Sequence, residues 1–155
     1  MLYACDYAWW QRHGGVPEFG GLKVSGDRLV LRRPWGVHRI CVDRASDRLV
    51  LDRPGIVGWG GNSGFHALNL AAQFGAARII LVGFDMRVDL GVHWHGKHDR
   101  LHNPTTRNVE RWRRAIDDAA PALAAAGIAV VNASPVSTLE NYPKVSLEEA
   151  CLLYT

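Results

Sequence analysis

A glycine-rich turn that leads into a helix is the feature of this sequence with the clearest chemical potential. It runs Gly58-Trp59-Gly60-Gly61-Asn62-Ser63-Gly64, and a helical pattern begins at about Gly64. Glycine lets a ligand approach the backbone closely, and the free N–H groups and dipole of a helix N-terminus favour a phosphate or carboxylate. The spacing differs by one residue from the dinucleotide pattern G-x-G-x-x-G, and a tight turn with an ordinary N-cap is the alternative. We predict that the ligand-binding residues include Gly60, Gly61, Asn62, Ser63 and Gly64.

A polar loop from Met86 to Pro104 carries four histidines: His93, His95, His98 and His102. Their H-x-H-x-x-H-x-x-x-H spacing fits no standard zinc set, so we predict no metal site there. Histidine titrates near neutrality, which suits a general base or a phosphate ligand. We therefore treat His95 and His98 as candidate ligand-binding residues and His102 as a candidate catalytic base. The alternative is a polar loop whose histidines cap backbone groups.

Asp85 precedes this loop, at the end of an apolar run and 21 residues after Gly64. An acid at such a position reaches a ribose hydroxyl in dinucleotide-binding folds, and it could also assist Mg²⁺ beside a phosphate. Asp85 is thus the second candidate catalytic residue, and Mg²⁺ is the one cofactor considered. A third loop, Asn132–Ser137, offers the hydroxyls of Ser134 and Ser137 to a base or sugar, with a helix-capping turn as the equal alternative.

The second part of the chain, residues 56–155, alternates strand and helix patterns. Strands are predicted at 56–57, 78–82 and 128–131, and helices at 64–74, from Thr105-Thr106 to Gly127 with a break at Pro121, and at 146–153. Strand, helix, strand, helix, strand implies parallel pairing with right-handed crossovers. Ligands bind beyond the carboxyl ends of parallel strands, so the three loops are expected to converge there.

The first part, residues 1–55, is rich in short strand-like runs and turns. Apolar runs at 2–5, 22–24, 29–31, 37–42 and 49–51 predict strands, separated by turns such as Ser25-Gly26-Asp27. Length favours one domain over residues 1–155. The predicted fold class is α/β: a Rossmann-like, mostly parallel sheet flanked by helices, with a strand- and turn-rich N-terminal third.

Composition and charge argue against several classes of protein. Apolar residues make up 48% and charged residues 21%, as in ordinary globular proteins. No apolar run approaches the ~20 residues that span a bilayer, and the N-terminus has no signal-peptide pattern. A net charge of +3 is a weak footprint for a nucleic-acid binder, which makes such a partner unexpected. Three widely spaced cysteines support no disulfide framework, so a reducing cytoplasm is the expected location.

The segment from Asn62 to Asp85, with its Ser-Gly helix start and a strand ending in Gly-Phe-Asp, resembles the central stretch of a Rossmann-like family. That family includes phage and prophage proteins, the archaeal hydroxymethylpterin diphosphokinase-like domain and, more distantly, the bacterial sialyltransferases that use CMP-sialic acid. The segments 102–106 and 134–142 resemble the histidine loop and closing segment of the sialyltransferases, and the N-terminal residues 3–10 most resemble the phage proteins. The likeness covers about residues 56–145. Such proteins usually begin with a further Gly-rich βα unit, so this chain is expected to be a short version or to lack that unit.

The resemblance implies a transferase acting on a nucleotide-sugar or nucleoside polyphosphate. Asn62, Ser63 and Gly64 would contact phosphates, Asp85 would hold ribose or a metal, and His102 would act as base toward the acceptor. Ser134 and Ser137 would touch base or sugar. A non-catalytic module that binds a nucleotide or nucleotide signal is the first alternative, and a phage structural or assembly protein the second. The sequence leaves the oligomeric state open.

Overall fold

The computed structural model describes residues 1–91 and 103–152. The helices and strands follow one another in the order β1 Leu2–Tyr3, α1 Tyr7–Arg12, β2 Lys23–Ser25, a 3-10 helix Arg28–Arg32, β3 Val37–Arg39, β4 Cys41–Asp43, β5 Ile56–Gly58, α2 Ser63–Gln73, β6 Arg78–Leu81, α3 Thr106–Asp117, α4 Ala120–Ala125, β7 Ala129–Asn132 and α5 Leu147–Leu152.

The strands pair in parallel, in small sheets ordered β1-β2-β3, β4-β5 and β6-β7. Only Ile40 separates β3 from β4. The Ile40 N–H donates to Ser25 O and the Cys41 N–H donates to Gly55 O, both at 2.9 Å. Residues 37–43 therefore form one extended segment that contacts β2 through its first half and β5 through its second. Consequently β1, β2, β4 and β5 all run the same way and end at one edge.

This architecture is mixed α/β with parallel strands, as predicted, but each strand has only two to four residues and the sheets are small. Two predicted strands are wrong. Residues 29–31 lie in the 3-10 helix, because the Asp27 carboxylate accepts the Leu29 N–H at 2.8 Å and caps it. Residues 49–51 form no strand, because the backbone of Val50 pairs with a side chain of α2 instead of a neighbouring strand. Helix α1 was not predicted.

Helix boundaries in the second part agree with the predictions. The Asn62 side chain accepts the Phe65 N–H at 2.9 Å and starts α2. Thr105 and Asn108 form a capping box at the start of α3. Pro121 lies in the first turn of α4, where proline is tolerated, so α3 and α4 are separate helices.

Helix α2 contacts one core through apolar residues, and it contacts the first part of the chain through polar residues together with Leu70, which packs with Val24 and Val57. Its Phe65 and Leu68 belong to a cluster with Leu81, Ile116 and Leu139. On another side, Asn69 is fully buried: its Oδ1 accepts the N–H of Val50 and of Gly58, and its Nδ2 donates to Val50 O at 2.7 Å. Gln73 adds bonds from Nε2 to the carbonyls of Val50 and Ile56. These amides position β5 and the residues that follow it.

Within residues 1–91 and 103–152, no helix is long and apolar enough to cross a membrane.

Replacing Asn69 with leucine is expected to lower the free energy of unfolding by about 2–4 kcal/mol. The change leaves the buried N–H groups of Val50 and Gly58 without acceptors, and each such loss costs about 1–3 kcal/mol. Urea denaturation measures it. Gln11→Leu, at an exposed helical site, is the control and should change stability by no more than about 0.5 kcal/mol. A loss below about 1 kcal/mol in Asn69→Leu would show that these bonds do not hold β5.

Candidate functional site

A cleft of about 540 Å³ lies at the shared carboxyl edge of β1, β2, β4 and β5. We call it the arginine cleft. Its walls come from the residues that follow each of these strands, together with a residue of β3 and one of α2. The lining residues are Cys5, Asp6, Gly26, Asp27, Arg28, Leu29, Arg39, Val42, Arg44, Trp59, Gly61 and His66. Parallel α/β folds bind ligands at this edge, which makes the cleft the candidate site.

Three guanidinium groups, those of Arg28, Arg39 and Arg44, line the arginine cleft. In the described part of the chain, none of them has a carboxylate within 4.0 Å. Of the two carboxylates in the lining, that of Asp27 caps the 3-10 helix through Leu29. The cleft therefore presents a net positive surface with fork-shaped donors, which suits phosphate or carboxylate.

Trp59 forms an aromatic wall of the cleft directly after β5. The Arg44 guanidinium lies 4.8 Å from the ring centroid and that of Arg111 lies 5.2 Å from it. Arg111 also forms a bidentate ion pair with Asp47, with a shortest distance of 2.7 Å. Helix α3 is thereby attached to the same wall, and the half-buried indole is held next to the arginines.

His66 lies beneath the wall and is 5% exposed. Its Nε2 lies 2.5 Å from Trp59 O and its Nδ1 lies 2.8 Å from the Tyr3 hydroxyl. A carbonyl oxygen can only accept, so Nε2 carries the proton and Nδ1 accepts from Tyr3. Burial lowers the pKa of the ring, which keeps it neutral. His66 therefore connects β1 to the residue after β5, with both nitrogens in use.

Cys5 and Ser63 join β1 to the start of α2. The Ser63 Oγ accepts the Cys5 N–H at 3.0 Å, and its hydroxyl donates to Cys5 Sγ at 3.1 Å. Burial raises the pKa of the Cys5 thiol to about 11, so the thiol is protonated at neutral pH. A protonated thiol is a poor nucleophile. The two hydrogen bonds between Cys5 and Ser63 indicate that this pair positions the cleft wall.

The glycine turn owes two of its glycines to backbone geometry. Gly60 has φ +50° and Gly61 has φ +78°, where side chains are rarely accommodated. A Cβ on Gly60 would run into the Phe65 ring, and one on Gly61 would lie 2.8 Å from Trp112 Nε1. Asn62 is used as the N-cap. Among the described residues, no acceptor is bonded to the N–H groups of Ser63 and Gly64 at the start of α2, so the anion site proposed for them stays a prediction.

Asp85 does not line the arginine cleft, although the glycine turn lies close to the residue before it: a Cβ on Gly64 would lie 3.1 Å from the Phe84 ring. It lines a second hollow of about 330 Å³ after β6, together with Gly83, Arg87, Trp112 and Val136 among others. Arg87 pairs with Asp89 and not with Asp85, and that bond lowers the pKa of Asp89 to about 2. Asp85 and the arginine cleft therefore belong to different cavities, and the glycine turn contacts residues of both: Gly61 lines the arginine cleft and is close to Trp112 of the second hollow.

Ser134 and Ser137 use their hydroxyls inside the protein. Ser134 Oγ accepts the Phe84 N–H at 2.9 Å, and Ser137 Oγ donates to Phe84 O at 2.6 Å. Both residues are buried. Their hydrogen bonds connect the loop after β7 to the loop after β6 and so stabilise the fold.

His95, His98 and His102 lie outside the described residues, so their predicted roles stay predictions. Across residues 1–91 and 103–152, no three His, Cys, Asp or Glu side chains are close enough to hold a metal ion.

Sequence reasoning missed Asp6, Arg28, Arg39, Arg44 and His66. A usable signal was present, since the turn Ser25-Gly26-Asp27 precedes Arg28 and follows a predicted strand. The rule about carboxyl ends was applied only to the long apolar strands of the second part. It holds equally for the short parallel strands of the first part, which supply most of the cleft.

A scan against protein-family models gives no match to this chain, and searches of curated proteins and of solved structures give no significant match.

Acidification from pH 7.5 to 5.5 is expected to lower the melting temperature through His66. The folded pKa of this ring is below its ordinary value of 6.5, so the unfolded chain binds the proton more readily. Stability is therefore present above about pH 6.5 and is lost as pH falls below it. His66→Gln removes the titrating ring but keeps a donor for Trp59 O. The variant's melting temperature should therefore fall less on acidification, and the difference between its melting temperature and that of the native protein should be smaller at pH 5.5 than at pH 7.5. A gap that is constant from pH 7.5 to 5.5 would contradict a buried neutral ring. The pKa values of Asp89 and Glu149 are also lowered, but their protonation reduces the stability of the fold only below about pH 4.5, outside the range of this experiment.

Proposed function

We propose that this protein binds a nucleotide, or a nucleotide conjugate such as a nucleotide-sugar, with its phosphate in the arginine cleft. The observation that carries the proposal is the set of three guanidinium groups without carboxylate partners in the described chain, on one cleft at the carboxyl edge of four parallel strands. Guanidinium groups bind phosphate in a bidentate manner and more strongly than neutral donors do.

Other parts of the cleft fit the remainder of such a ligand. The Trp59 ring is flat and apolar, and a nucleobase can stack on such a ring by displacing the Arg44 or Arg111 guanidinium that lies over it. Of the predicted turn residues, Gly61 lines the cleft and Gly60, Asn62, Ser63 and Gly64 do not. The N-terminus of α2, which follows Gly61 within two residues, adds a partial positive charge near the cleft. A volume of about 540 Å³ is within the range of small-molecule sites.

We infer further that the short parallel sheets belong to a Rossmann-like arrangement. Support comes from the parallel direction of β1, β2, β4 and β5, from the glycine turn that opens α2, and from the resemblance of residues 56–145 to a Rossmann-like phage and prophage family. The site at the carboxyl edge agrees with that arrangement. A nucleotide ligand and three free cysteines fit the reducing cytoplasm.

Binding without turnover is what the described geometry supports best. Of the cleft's candidate proton carriers, His66 has both nitrogens engaged and Cys5 is a protonated thiol. A general base needs a free site within about 3 Å of the proton that it removes. The transferase hypothesis accordingly depends on His102, outside the described residues, or on the carboxylate of Asp6, which lines the cleft and accepts only a thiol hydrogen bond in the described chain. Chromatography of nucleotide-sugars after incubation with the protein and a mixture of sugar acceptors distinguishes the two, since only a transferase moves the sugar to an acceptor hydroxyl and releases the nucleotide.

Nucleotide binding is expected to raise the melting temperature. A thermal-shift panel of nucleoside mono- and diphosphates and nucleotide-sugars tests it, because a ligand at 100 times its Kd stabilises the folded state by about 2.7 kcal/mol. The shift should shrink with added salt, since screening weakens exposed charge interactions. Absence of any shift across the panel at millimolar ligand would reject the proposal.

Arg39→Gln is expected to weaken nucleotide binding about tenfold or more, measured by titration calorimetry. A hydrogen bond to a charged group contributes about 1.5–3 kcal/mol, and Arg39 has no ion pair within the described chain whose loss would disturb the fold. Arg28→Gln and Arg44→Gln should act in the same direction. Arg113→Gln, which removes an arginine that pairs with Glu140 away from the cleft, is the control and should bind normally. Equal affinity in Arg39→Gln and Arg113→Gln would place the phosphate elsewhere.

A further inference from the structure

Asp6 stands at the N-cap position of α1 but does not cap it. Its backbone has the extended geometry of an N-cap, with φ −97° and ψ 126°, yet its carboxylate accepts no N–H of the first turn. Aspartate is among the residues that most often make this bond. The one hydrogen bond to the carboxylate in the described chain is from the Cys5 thiol, at 3.5 Å, and thiols are weak donors. The carboxylate is thus available for another donor.

The same carboxylate lines the arginine cleft without pairing with its arginines. Within the described residues, no guanidinium lies within 4.0 Å of Asp6. A carboxylate near a bound phosphate repels it, and this lowers affinity unless the carboxylate also accepts hydrogen bonds from the ligand. Asp27, the other acid of the cleft, differs because it is already bonded to the Leu29 N–H.

We propose that Asp6 accepts hydrogen bonds from the vicinal hydroxyls of a ribose, so that the cleft selects ribonucleotides over 2′-deoxyribonucleotides. This inference rests on the proposed function. Two carboxylate oxygens match two neighbouring hydroxyl donors, and parallel α/β folds use an acid at the carboxyl edge for this purpose. Asp85, to which the sequence analysis assigned the ribose, lines the second hollow, whereas Asp6 shares a cavity with the three arginines.

The selectivity has a physical cause that can be measured. Asp6 is exposed in the free protein, so its carboxylate loses bound water when a ligand covers it. A ligand hydroxyl replaces that water, whereas the analogue that lacks the hydroxyl leaves the covered acceptor unpaired. We expect the native protein to bind the ribose form about tenfold or more tightly than the 2′-deoxy form. The base and the phosphates are the same in both ligands, so they cancel in this ratio.

Titration calorimetry of the full chain tests the inference. The probes are the ribonucleoside mono- and diphosphates of the four common bases and their 2′-deoxy counterparts, with EDTA and again with Mg²⁺. In Asp6→Ala the ratio between the two forms should fall to within about twofold, through loss of affinity for the ribose form. Asp6→Asn removes only the charge, so its ratio should lie between those of the native protein and Asp6→Ala. The melting temperature should change little, since Asp6 does not cap α1.

Asp27→Asn is the matched control, because it removes a second negative charge from the same cleft and asparagine can still cap the 3-10 helix. It should leave the ratio between the ribose and 2′-deoxy forms unchanged and should bind each form at least as tightly as the native protein does. Equal binding of the two forms by the native protein would overturn the role of Asp6 while leaving the cleft in place. If Asp6→Ala loses affinity equally for the ribose and 2′-deoxy forms, and does so only in the presence of Mg²⁺, the role of Asp6 in ribose binding would also be overturned. Asp6 would then be a metal ligand instead. Failure of every nucleotide to bind the native protein would instead reject the proposed function itself.

Discussion

The arrangement of this protein depends on one row of polar side chains along α2. Asn62, His66, Asn69 and Gln73 recur at helical spacing, and each bonds to backbone that lies before the helix in the chain, between residues 50 and 60. Helices usually meet sheets through apolar side chains, which tolerate small shifts. Buried polar groups require specific partners instead, because an unpaired one is costly. The row therefore fixes where β5 lies and where it ends.

That constraint is what forms the cleft. With Gly58 bonded to Asn69 and Trp59 bonded to His66, the chain turns sharply after β5, and the indole becomes a wall of the cleft. His66 also reaches Tyr3, so the end of β1 is positioned by the same helix. Asp6 and the arginines after β2 and β4 then face a surface whose geometry α2 determines. A helix that contributes only His66 to the cleft lining thus sets the positions of several other cleft residues.

The sequence predicts α2, α3 and their caps well because those signals are local. Asn62 and Thr105 each cap the helix that follows, and Pro121 divides α3 from α4 within a few residues. The first part of the chain is harder, since its strands have two or three residues and owe their existence to distant partners. Leu29 and Val30 look like strand residues, yet a cap from Asp27 makes them helical. The arginine cleft is hard to predict for a related reason: the strands at 22–24 and 37–42 are recognisable, but their parallel pairing with β1 and β5 depends on distant residues.

The net charge of +3 also conceals how positive the cleft is. Several of the acids that balance the arginines are occupied elsewhere: Asp27 caps a helix, Asp43 accepts the Ala45 N–H, and Asp47 pairs with Arg111. The buried Asp117 accepts two backbone N–H groups near Glu140. Acids used in this way hold the fold, but their fields are partly neutralised by the groups they bind. Arg28, Arg39 and Arg44 have no carboxylate partner in the described chain and share the cleft with one carboxylate that caps no helix, that of Asp6, so the field in the cleft stays positive. A weakly basic total charge is therefore compatible with strong local attraction for an anion.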